Sequence, residues 1–120
     1  MDASGDPIEG QVLLLAAAKA SVSADRLPDL VSRVDRLLAP RRDAYRREYE
    51  CVYEDGDRVV FLVPPDHWEA VGDELDFTRR EREAVRRAHD EQLLRVGRRT
   101  DRRDEFETAL DIRDAVVVGA

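Results

Sequence analysis

At Tyr49 the hydrophobic period of this chain switches from that of a helix to that of a strand. Tyr49, Cys51 and Tyr53 alternate with Glu50, Val52 and Glu54, Asp55-Gly56 follows, and a β-branched run returns over residues 58–63. Asp-Gly between two such runs signals a type I′ hairpin, because both turn residues tolerate positive φ. A two-residue loop there pairs Cys51 with Val60 and Tyr49 with Leu62, which turns Tyr49, Cys51 and Tyr53 toward the packed face. An isolated hairpin is only marginally stable, and residues 115–118 supply an obvious third strand. Helix-period sequence on both sides then implies an α+β fold: about five helices packed on a small, mainly antiparallel sheet made of the hairpin at 49–63 and the C-terminal strand at 115–118.

The longest helical signal runs from Phe77 to Gly97. Thr78 is a good N-cap, Glu81 completes a capping box, and Gly97 is a plausible stop. Phe77, Ala84, Val85, Ala88, Leu93 and Val96 gather on one side of a helical wheel. Glu83 with Arg87, and Glu91 with Arg95, form favourable i,i+4 pairs away from it. His89 and Gln92 fall inside the apolar stripe and need hydrogen-bond partners if buried, whereas Leu94 stands apart on the opposite side.

Elsewhere residues 8–20 read as a nearly all-apolar helix, with a buried strand as the alternative for so short a run, and as buried in either case. Residues 24–38 read as an amphipathic one carrying Leu27, Leu30, Val31, Val34, Leu37 and Leu38, with Pro28 in its first turn. Pro40 ends that pattern and opens a third helix in which Tyr45 and Tyr49 lie among Arg41, Arg42, Arg46 and Arg47. After Pro64-Pro65, Asp66 and Glu69 suggest a capping box for a short helix that turns Trp68, Val71 and Leu75 inward. Asp101 is positioned to cap a last helix carrying Phe106, Ala109 and Leu110. Residues 1–6 are expected to be a disordered tail and residues 7–120 a single α+β domain.

Of the 20 basic residues only Lys19 is a lysine, against 27 acids and a net charge of −7. That near-absence of Lys beside many acids suggests the cytoplasm of a salt-rich, halophilic cell, where negative charge supports solubility. In molar salt the Debye length is about 3 Å, so an acidic balance does not exclude nucleic acid. Cys51 is alone, which rules out an intramolecular disulfide and fits a reducing cytosol. The apolar run at 12–18 is too short to cross a bilayer and is preceded by Asp2, Asp6 and Glu9, so a soluble, unexported protein with no membrane partner is expected.

Little here points to catalysis. Cys51, His67 and His89 share no metal-ligand spacing, so neither zinc nor another cofactor is expected. Cys51 inside a strand reads as a small hydrophobe. His67 beside Asp66 is the better acid–base candidate, but no phosphate-cradling glycine loop or nucleophile elbow accompanies it. The chain is therefore read as a non-enzyme.

Two binding functions remain. Helix, turn at 21–23, helix, arginine-rich helix and hairpin form the outline of a winged helix-turn-helix DNA-binding regulator, with Arg41, Arg42, Arg46 and Arg47 on the recognition helix. The acids Glu54, Asp55 and Asp57 at the wing tip would oppose phosphates. Phe77-Thr78-Arg79-Arg80-Glu81-Arg82-Glu83-Ala84-Val85 also resembles the first helix of the LuxR-type DNA-binding domain. That family turns soon afterwards into two more short helices, whereas this pattern runs on to Val96. The favoured reading is a protein-interaction or regulatory module acting as a homodimer through the long helix, with Val85, His89, Gln92 and Leu94 as candidate contacts and an exposed hairpin edge beside them.

Overall fold

The computed structural model describes residues 7–120, so the expected tail at 1–6 lies outside the described residues. The elements follow in the order α1 (Gly10–Ala20), α2 (Arg26–Leu38), a 3-10 turn (Ala39–Arg41), α3 (Arg42–Glu48), β1 (Glu50–Glu54), β2 (Arg58–Val63), α4 (His67–Leu75), α5 (Arg79–Thr100), α6 (Arg103–Leu110) and β3 (Asp114–Gly119). The fold is α+β as expected. β2 lies at the centre of an antiparallel sheet of order β1-β2-β3, and all six of its residues are buried, so helices and loops cover both faces of the sheet's centre.

Burial follows local pattern where the pattern is amphipathic. Leu27, Leu30, Val31, Val34 and Leu38 of α2 all enter the core, each side chain contributing about 1.5–3 kcal/mol. The Thr78 hydroxyl accepts from the Glu81 N–H at 3.1 Å while the Glu81 carboxylate accepts from the Thr78 N–H at 2.8 Å, so the capping box that starts α5 is complete.

The hairpin departs from its expected register. Cys51 lies opposite Phe61 and Tyr53 opposite Val60, with a bulge between them. The extra residue reverses the alternation, so Val52 is buried and Cys51 exposed. Neither Asp55 nor Gly56 has positive φ, so the turn is not type I′. The Asp55 carboxylate holds it instead, accepting from the N–H groups of Asp57 at 2.8 Å and Arg58 at 3.0 Å.

Other differences are matters of helix ends and partners. α5 runs past Gly97 and stops at Asp101, whose φ is 59°. Gly97 serves packing rather than termination, since a Cβ there would lie 2.9 Å from the Arg103 Cα. Asp101, used to end α5, is not available to cap α6, which starts after Arg102 without a side-chain cap. Asp66 has a helical backbone and its carboxylate makes no cap hydrogen bond, because an N-cap side chain reaches back only from extended backbone. The expected i,i+4 pairs are redirected: Glu83 binds Arg86, Glu91 binds Lys19 of α1, and Arg95 binds Glu9. Finally, α1 is not buried all round; Leu14 is 61% and Leu15 48% exposed.

Candidate functional site: the sealed edge of the sheet and the cleft beside it

β3 is an edge strand, yet three of its outward N–H groups and two of its outward carbonyls are occupied. The N–H groups of Ala115, Val117 and Gly119 donate to the Asp90 carboxylate (3.5 Å), His89 Nδ1 (2.8 Å) and the Asp35 carboxylate (2.9 Å). The carbonyls of Ala115 and Gly119 accept from Trp68 Nε1 (3.3 Å) and Arg42 Nε (2.9 Å). Side chains from α2, α3, α4 and α5 therefore complete the ladder that a fourth strand would otherwise supply. This explains a histidine within an apolar stripe: His89 satisfies a strand N–H.

A row of rings lies behind this seal. Tyr45, His67, Trp68 and His89 meet edge to face with centroids 5.5, 5.6 and 4.7 Å apart. Burial pushes His89 down to about 3 and His67 down to about 4, so both imidazoles are neutral near pH 7. Burial raises the Tyr45 phenol to about 12, and its hydroxyl lies 2.5 Å from His67 Nε2. Tyr45 is then the donor, His67 Nδ1 carries the imidazole proton, and in His89 the proton is on Nε2; both of those N–H groups lack a partner among the described residues.

A cleft of about 270 Å³ opens beside the seal, lined by Pro65, Trp68, Glu69, Arg82, Glu83, Arg86 and Asp114. Arg86 binds the Glu83 carboxylate at 2.9 Å and the Asp90 carboxylate at 3.0 Å. Burial raises Asp90 to about 7 despite Arg86, and nearby Asp114 raises it further. Asp114 is itself raised by desolvation. Among the described residues no group of three or more His, Cys, Asp or Glu is placed to hold a metal ion, and no helix is long and apolar enough to cross a membrane.

The candidate contacts of the long helix lie elsewhere than on the surface. Val85, His89 and Gln92 are 0%, 1% and 0% exposed, and Leu94 packs half-buried against the core. Gln92 clamps the start of α1: its Oε1 accepts from the Glu9 N–H and its Nε2 donates to the Glu9 carboxylate, both at 2.8 Å. Burial opposes the Glu9 charge, but Arg99 and Gln92 hold that carboxyl down at about 2.

The arginines of the third helix are mostly engaged. Arg41 makes a two-pronged pair with Glu74, Arg46 makes another with Glu54 at the would-be wing tip, and Arg42 is held by Gly119. Arg47 is exposed and makes no ion pair among the described residues. The two-residue apolar patch of α1 and the roles of Trp68 and Asp90 gave no separate signal in the sequence.

Fold and site together define an α+β domain in which helices close one edge of a three-stranded sheet. The chain belongs to the family described as a domain of unknown function, DUF8048, which matches residues 6–120. No curated protein and no solved structure matches the chain.

Proposed function

We propose that the domain acts by protein association, as a homo-oligomer in a regulatory or structural role, through the outer face of α1. The observation that carries this is an uncharged helix face on a highly charged protein. Charged residues make up 39% of the chain, yet none occurs from Gly10 to Ala18, where Leu14 and Leu15 stand exposed beside Ala18. Adjacent exposed leucines on a small domain favour a partner.

A second copy fits this face better than a charged partner. Each copy carries −7, so two copies approach with least repulsion where neither presents charge. Antiparallel packing of two α1 helices also sets the N-terminal end of one dipole against the C-terminal end of the other. The lysine-poor, acidic composition fits a salt-rich cytoplasm, where screening weakens the remaining repulsion.

The test is the molecular mass in solution of the full chain and of Leu14→Asp/Leu15→Asp at low and high salt. A wild-type dimer that strengthens with salt, and a folded monomeric variant, are expected. A variant that remains dimeric would move the interface elsewhere. Bound DNA released by salt, and lost on replacing Arg47, would instead favour the DNA-binding reading.

A further inference from the structure

We propose that the cleft over Trp68 binds a small zwitterion, a free α-amino acid that presents one carboxylate and one ammonium. At about 270 Å³ the cleft falls just below the range typical of sites for drug-sized ligands. Its charges are unequally engaged. Arg86 is committed to Glu83 and Asp90. Arg82 is half-buried, but its guanidinium makes no hydrogen bond or ion pair among the described residues. Gly72 makes room for it, since a Cβ there would lie 3.0 Å from the Arg82 Cδ. Asp114, half-buried on the same cleft, also makes no ion pair among the described residues.

One unpaired guanidinium thus shares the cleft with an indole, Pro65 and two carboxyls that make no ion pair among the described residues, the half-buried Asp114 and the exposed Glu69. A simple anion would engage Arg82 and leave Asp114 more repelled; a simple cation would do the reverse. A molecule with both charges satisfies both groups with charge-assisted hydrogen bonds, while Trp68 and Pro65 offer apolar surface to its side chain. Burial raises the proton affinity of Asp114 and Arg86 offsets it only in part; an ammonium group at hydrogen-bond distance would lower it further.

Trp68 is the single tryptophan of the chain, so its emission reports on the cleft. The experiment titrates the full chain with L-leucine, with L-leucinamide, which lacks the carboxylate, and with N-acetyl-L-leucine, which lacks the ammonium. Leucine should change the emission saturably and bind at least about tenfold more tightly than either analogue, given the strength of charged hydrogen bonds. Arg82→Gln should abolish the preference for leucine over leucinamide, and Asp114→Asn the preference over N-acetyl-leucine. No saturable response to leucine, or equal binding of the three probes by the unaltered chain, would overturn the proposal. The unaltered chain decides this even if a variant fails to fold.

Discussion

The two edges of the sheet meet the same hazard in different ways. At β3, buried and half-buried groups from four helices occupy the outward backbone. At β1 the protection is superficial: a bulge, the Glu50–Arg113 and Glu54–Arg46 ion pairs, and the Arg102 guanidinium donating to the Val52 carbonyl at 2.7 Å. Exposed pairs of this kind are worth about 0–1 kcal/mol, whereas a buried N–H left without a partner costs about 1–3 kcal/mol. The β3 edge is therefore integral to folding, and the β1 edge is guarded mainly against misplaced pairing. The difference also weakens the case for β1 as a docking strand, because bulges and charges are devices that discourage strand addition.

The sharpest way to break this comparison is His89→Ala. It removes a side chain only 1% exposed and orphans the Val117 N–H, so a loss of about 4 kcal/mol is expected in denaturant unfolding. Cys51→Ser, on the open edge, should stay within about 0.5 kcal/mol. Equal costs would mean that the seal contributes nothing special.

Gly97→Ala probes how α6 brings Arg102 to β1. Helix propensity alone favours alanine by about 1 kcal/mol, but the new Cβ would sit 2.9 Å from the Arg103 Cα. A net loss of about 2 kcal/mol is expected from overpacking. A stabilised variant would show that α6 yields freely.

The smallest effect sharpens the β3 side. Asp90 is raised from 3.8 to about 7, so the folded state holds a proton that the unfolded state releases. The stability this proton confers is full below about pH 4 and is lost as pH rises through about 7. Asp90→Asn removes that loss. Relative to the variant, the wild type should therefore lose stability steadily between pH 4 and 8. Taking the difference cancels the opposite acid sensitivity of His67 and His89, whose lowered values make folding less favourable as pH falls below about 6.5. Urea unfolding at several pH values measures it, and a constant difference would contradict a desolvated Asp90.

Legibility in the sequence divides along the same line between local and distant partners. The stripe of α2 and the Thr78–Glu81 box depend on residues three or four apart, and both are as expected. The need of His89 and Gln92 for partners was also readable, but Val117 and Glu9 as those partners were not. Such contacts are set by the packing of helices on the sheet, not by spacing along the chain. α1 shows the limit of periodicity: a helix without a polar face carries no sign of which side meets solvent, so Leu14 and Leu15 could not be told from Val12 and Ala16. The hairpin register failed for a related reason, since one bulged residue reverses every side chain beyond it.

Backbone conformation carries a final consequence for engineering. Ser21, Asp76 and Asp101 end three helices with φ of 58–59°, a conformation that glycine adopts at little cost and other residues at about 1–2 kcal/mol. The glycine at position 97 is used instead within a helix, to let α6 approach. Glycine at these helix ends would relieve that strain, so the domain holds a reserve of stability at three solvent-facing positions outside the seal and the cleft.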